Sequence, residues 1–192
     1  MVAGAEWEGS GVGSRGVADV LFLKQRIDSN YCAVYGTAML LSLLGHSISR
    51  RESHRLFRTR HENWAPPDVP KIVAVIEQVV GEGNLRAIAR SYSKPASFGL
   101  ALQLQLCKAP AVLVVATCRL VGRGIQARHA FVVTQASRAE VKVLDSLCPA
   151  PQAGMKFNAT FPLDGQRRRY VYTDEAPWEL DLGRPVHILG VF

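Results

Sequence analysis

An α+β fold is predicted for this 192-residue chain by two observations: helix-length apolar patterns fill its first half, and short β-branched runs follow Pro110. The lack of regular strand–helix alternation argues further against a parallel α/β sheet. The first helix is read from the apolar run Ala33 to Leu44, with Asp28, Ser29 and Asn30 as helix-start residues and Gly45 as its stop. Cys32 therefore opens a helix. There the free backbone N–H groups and the positive end of the helix dipole favour a thiolate over a thiol.

The remaining elements follow in order. Val17 to Leu23 is an apolar lead-in to Gln25, and Ser47 and Ser49 suit the cap of a basic helix through Phe57. His61 to Pro70, with Trp64, Pro66, Pro67 and Pro70, reads as a loop. Asp68 caps a helix over Val69 to Val80 whose stripe of Ile72, Val75, Ile76 and Val79 is core. After the turn at Gly81 to Asn84 come a strand, Leu85 to Arg90, and a helix capped by Ser97 carrying Phe98, Leu102, Gln105 and Leu106. Strands are expected at Ala111 to Thr117, His129 to Thr134, Glu140 to Leu144, Arg168 to Thr173 and Pro185 to Phe192, with a loop at Gly122 to Gly124 and irregular chain over Pro149 to Gln166. Met1 to Gly16 reads as a mobile arm ahead of a single domain over 17–192. Its Gly11, Gly13 and Gly16 match a dinucleotide fingerprint only as a string, because no strand precedes them.

Composition narrows the function classes. About 48% apolar and 20% charged residues is ordinary for a globular domain. The net charge of +7 could mean nucleic acid, an acidic protein partner or an anionic surface, and the scattered arginines (Arg50, Arg51, Arg55, Arg58, Arg60; Arg119, Arg123, Arg128; Arg167 to Arg169) read first as a solvated basic surface. The arginines lack interleaved aromatic platforms, so no nucleic-acid site is expected. Cys32, Cys107, Cys118 and Cys148 are widely separated, which signals neither a zinc site nor a redox pair and fits reduced thiols in a cytosol-like compartment. His46, His54 and His61 have irregular spacing and no complete ligand set, so they read as surface or partly packed side chains, and no metal or cofactor is expected. There is no apolar run of membrane-spanning length and no signal-peptide pattern.

The chemistry-bearing pattern joins Cys32 to residues far along the chain. His129-Ala-Phe-Val-Val-Thr-Gln and Glu140-Val-Lys-Val-Leu-Asp145 are two apolar runs with a short connection, the pattern of an antiparallel hairpin centred near Ser137. A symmetrical register about Ser137 sets His129 directly opposite Asp145, close enough for the carboxylate to hold the imidazole. Gln25, seven residues before Cys32, could place its side-chain amide over the thiol as an oxyanion donor.

The segment Gln25 to Gly45, with His129-Ala-Phe-Val-Val and Val-Leu-Asp145, resembles the papain-like clan of cysteine peptidases, and within it most resembles the bacteriocin-processing (double-glycine leader) peptidase family. The resemblance implies N-terminal helices, the nucleophile at a helix start, packed on a C-terminal antiparallel sheet that carries the histidine and the acid. It also implies Cys32 as nucleophile, His129 as base, Asp145 as its orienter and Gln25 in the oxyanion hole. The substrate class implied is a protein or peptide, and no cofactor is implied. Glutamine deamidases delivered by bacteria as toxins or effectors belong to the same clan, and a non-catalytic binding domain could keep the fold. The place of action implied is the cytosol, of the producing cell or of a target cell. Three features depart from the family pattern: Tyr31 stands for an acid before the cysteine, Ala33 for a glycine after it, and the step from Gln25 to Cys32 is one residue longer.

Overall fold

The computed structural model describes residues 21–26, 29–60, 65–120, 126–163, 169–170 and 178–192. The expected arm over 1–16, the loop at 122–124, and Asp28, His61 and Trp64 lie outside the described residues. In chain order the elements are α1 (Cys32–Leu43), α2 (Arg50–Leu56), α3 (Val69–Val80), β1 (Leu85–Arg90), α4 (Pro95–Leu106), β2 (Val112–Leu120), β3 (Gln126–Ala136), β4 (Glu140–Leu144), β5 (Ala159–Pro162), β6 (Arg169–Tyr170), β7 (Trp178–Leu180) and β8 (Val186–Val191). The fold is mixed α+β with one antiparallel sheet. Its main path runs β1-β8-β2-β3-β4-β5, and β7 joins β2 and β6 beside it.

The apolar runs of the second half have no polar alternation because the sheet is covered on both faces. Leu113, Val115, Ala130, Val132 and Leu189 point into a core shared with α1 and α3. Their neighbours Val112, Val114, Phe131, Val133 and Ile188 point the other way, into a second core with Phe98 and Leu102 of α4, Tyr92 and Phe161. Each fully buried side chain of this size contributes about 1.5–3 kcal/mol relative to exposure. The central helix α1 is buried along its whole length from Ala33 to Leu41, as its unbroken apolar sequence requires.

Helix starts follow local chemistry. Ser49 accepts from the Glu52 N–H at the start of α2, and Asp68 accepts from the Lys71 N–H at the start of α3. Two expected caps are corrected. Ser97 lies inside α4, which begins at Pro95, whose fixed φ and missing N–H suit a first helical position. The Ser29 hydroxyl is spent on the Arg26 carbonyl, and the residue before α1 is Tyr31, which supplies no side-chain cap. The stretch read as irregular contains β5, and β7 was not anticipated, since both are too short to show a period. Gly45 adopts φ +89°, the left-handed conformation that suits a helix stop. No helix among the described residues is long and apolar enough to cross a membrane.

At Gly99, α4 rests directly on the β3–β4 turn, where a Cβ would overlap the backbone carbonyl of Ser137 and crowd a methyl of Leu163. Backbone cannot step aside as a side chain can. Gly99→Ala should therefore cost roughly 1–3 kcal/mol, read as a lower urea midpoint. An unchanged midpoint would show that α4 does not pack there.

Candidate active site

The site is assembled from four segments: the chain before α1, the start of α1, the start of β3, and the loop after β4. Cys32 is the first residue of α1 and is only partly buried. Its Sγ lies 4.0 Å from the Arg128 carbonyl oxygen, near enough to His129 and the Ala130 backbone N–H for both to favour the thiolate. One turn along the same helical face is Gly36, where a Cβ would stand 2.9 Å from a Leu113 methyl and 3.7 Å from the Ala130 carbonyl oxygen. Gly36 lets α1 settle close to β2 and β3, which brings Cys32 onto the β3 backbone. Sequence reasoning passed over it, because a glycine within an apolar helix carries no mark of what it faces.

His129 Nε2 lies 2.7 Å from Asp145 Oδ2, which leaves Nδ1 as the ring nitrogen for the thiol. The expected pair is present, but the expected register is not. Val132 pairs with Leu144 and Val133 with Val143, an offset of two residues from symmetry about Ser137, and a bulge at Thr134 shifts the ladder again toward the turn. The turn itself closes with Ser137 Oγ accepting the N–H groups of Ala139 and Glu140. Because the offset near the site is even, Asp145 keeps the face that His129 occupies. The two meet diagonally rather than directly opposite.

Asp145 is fully buried and held from several sides. Its Oδ1 accepts the Leu147 N–H at 2.9 Å. Asn158 clamps its backbone, accepting the Asp145 N–H at 2.8 Å and donating to its carbonyl at 2.8 Å. Asn158 also reaches the Pro149 carbonyl, so one side chain folds the whole 145–158 loop around the carboxylate. Neither Asn158 nor Ser146 was singled out from sequence; an asparagine after a proline-rich stretch signals only a turn.

Gln25 is buried on this same loop. Its backbone N–H donates to the Ser146 carbonyl at 2.7 Å, and its Oε1 accepts from the fully buried Ser146 hydroxyl at 3.0 Å. Its Nε2 donates to the Ser29 carbonyl, three residues before Cys32. Lys24 adds bonds to the Leu147 and Cys148 carbonyls. The Gln25 amide thus stands at the entrance to α1 with one of its two N–H groups used.

Burial alone would raise the Cys32 thiol, but the hydrogen bond and charge of His129, with the Ala130 N–H, outweigh it and lower the thiol below its ordinary 9.0. For His129, burial opposes the charged ring, yet the Asp145 carboxylate and Cys32 together push it up to about 10 from 6.5. The two shifts run in the directions that favour a thiolate beside an imidazolium. Cys118 is buried and its thiol is driven upward; Cys148 is buried and Cys107 exposed, and all four cysteines are free. Among the described residues no group of three or more His, Cys, Asp or Glu could hold a metal ion. His54 is half-packed, as expected, between Tyr35 and Thr59.

Brief alkylation at pH 6 should label Cys32 ahead of the other three thiols, and Asp145→Asn should move the pH midpoint of its labelling upward, because the imidazolium loses its carboxylate. Equal labelling of Cys107, or an unmoved midpoint, would refute the ion pair. A group whose folded pKa is raised stabilises the fold fully below its unfolded value and loses that contribution as the pH rises through the folded value. In the Cys32→Ala protein, where Asp145 alone holds the ring charged, melting temperature should therefore decline as the pH climbs above about 6.5, over a window that closes below the native chain's value of about 10. The decline should be smaller in Cys32→Ala/Asp145→Asn.

No family model matches the chain and no curated protein matches it, so the reading of the site rests on its geometry.

Proposed function

We propose that the chain is a thiol-dependent amide hydrolase of the papain-like kind, a cysteine peptidase acting on a protein or peptide. The observation that supports this most is a partly accessible cysteine at a helix start, hydrogen-bonded to a histidine whose other nitrogen is held by a fully buried carboxylate. Each group then has a separate task in acyl transfer. The Cys32 thiolate attacks the amide carbonyl carbon, and the π electrons move to the oxygen. That oxyanion is met by the Cys32 backbone N–H and by the second N–H of Gln25. As the C–N bond breaks, His129 gives its proton to the leaving amine; it then takes a proton from the water that cleaves the thioester. Asp145 keeps the ring oriented and charged without itself accepting the proton.

The leaving nitrogen can be a peptide amine or the ammonia of a glutamine side chain, since the steps are the same. Mass spectrometry of candidate proteins incubated with the chain and with Cys32→Ala separates these cases. New termini made only by the native chain are expected. Ammonia release without cleavage would make it a deamidase, and a Cys32 inert to iodoacetamide would leave a binding domain.

Gln25 and Ser146 provide a second test. Gln25→Ala should lower turnover by roughly 10²–10³-fold while sparing Cys32 alkylation. It should also cost about 1–3 kcal/mol of stability, because the buried Ser146 hydroxyl loses its acceptor. Stability loss with full turnover would remove Gln25 from the oxyanion hole.

A further inference from the structure

The arginines that looked scattered in sequence converge in space around α2. Two adjoining clefts, about 520 and 540 Å³, share Arg51, His54 and Arg60; one adds Tyr31, Arg50 and Thr59, the other Arg55 and Arg58. Tyr31, the residue before Cys32, lines one of the two clefts, while Cys32 and His129 line neither. Among its described lining side chains only Glu52 is acidic, and it is already paired with Arg55. The floor is fixed: the hydroxyl of fully buried Tyr35 accepts from Arg50 Nε at 3.2 Å and meets His54 Nε2 at 3.2 Å, while His54 Nδ1 meets Thr59 Oγ1 at 2.7 Å. The Tyr31 ring stands edge-on to His54, with centroids 5.0 Å apart. Arg58 holds φ +52°, a left-handed conformation disfavoured for a side chain of its kind and here keeping a cation on the rim. The positive potential is felt inside, where burial and then Arg50 and Arg60 hold the His54 pKa down.

We propose that this trough binds an acidic stretch of the polypeptide substrate, seating carboxylates within a few residues of the amide presented to Cys32. The substrate part rests on the hydrolase reading; the binding part does not. An elongated trough with several arginine forks suits successive carboxylates, each able to take paired N–H donors. Among the described residues it offers no free stacking platform of the kind a single-stranded nucleic acid would use, since Tyr31 and Tyr35 are packed against His54.

The probe is fluorescein-labelled hexaglutamate, with binding followed by polarisation at low ionic strength on the native chain and on Cys32→Ala. Both should bind it, and hexaglutamine should not bind. Arg51→Gln/Arg60→Gln should weaken binding roughly tenfold, because two exposed charge contacts are lost. The Arg51→Lys/Arg60→Lys form should lie between, showing that the site is folded and charge-dependent. Arg86→Gln/Arg138→Gln removes the same charge elsewhere and should change affinity less than about twofold. Equal losses in both glutamine pairs, or tighter binding of hexathymidylate or inorganic phosphate than of hexaglutamate, would overturn the site. Bound hexaglutamate should also slow iodoacetamide labelling of Cys32 in the native chain. Full binding without protection would separate the trough from the thiol and overturn the substrate assignment. If Cys32 proves unreactive from the outset, the hydrolase reading fails while the polarisation result still decides the trough.

Discussion

A carboxylate with no solvent exposure is the constraint to which the region after β4 conforms. Removing the Asp145 charge from water costs several kcal/mol, a cost offset only where the oxygens find donors. One oxygen meets His129 and the other the Leu147 N–H, so the chain must turn directly after Asp145. Asn158 then bonds the residue's own backbone N–H and shares its carbonyl with the Cys148 N–H, beyond the end of the β4 ladder. The carboxylate, the turn and the asparagine form one unit. Removing the histidine would leave the same charge with fewer donors, which is why a His–Asp contact of this kind serves stability as well as chemistry.

Much of this was legible because the signals were local or periodic. The Asp68 cap, the 69–80 helix, the 85–90 strand and the 140–144 strand stand where their sequences place them. The His129–Asp145 contact survived a wrong register because strand side chains alternate with period two and the error near the site was even. A one-residue error would have placed the pair on opposite faces. The bulge at Thr134 lies nearer the turn and shifts only the part of the ladder away from the histidine.

What was hidden depends on partners distant in sequence. Gly36 is informative only once β2 and β3 lie against α1, and Ser146 only once Gln25 lies beside it. The arginines of 50–60 looked evenly solvated because a helix of seven residues followed by a left-handed turn does not announce which cations share a side. Ser29, a good cap by type, was claimed by a turn with Arg26. The residue before α1 is Tyr31, which gives no side-chain cap, and the groups that lower the Cys32 thiol are His129 and the Ala130 N–H.

The seven-residue step from Gln25 to Cys32 need not fix the position of the amide, because Gln25 is held by a distant part of the chain. If the helix positioned the glutamine, one added residue would displace its amide by several ångströms. Instead the Gln25 N–H and Oε1 are both fixed by Ser146, a residue far along the chain. Gln25 and Asp145 therefore belong to one body, the lead-in bound to the 145–148 loop. The thiol belongs to a second body, α1 seated on β3 through Gly36. His129 rises from β3 and bonds to Asp145 on the first body and to Cys32 on the second, so its imidazole is the joint that sets thiol against amide. Spacing along the chain is then a weak guide to such a site, whereas the hydrogen bonds on the two sides of the histidine are a strong one.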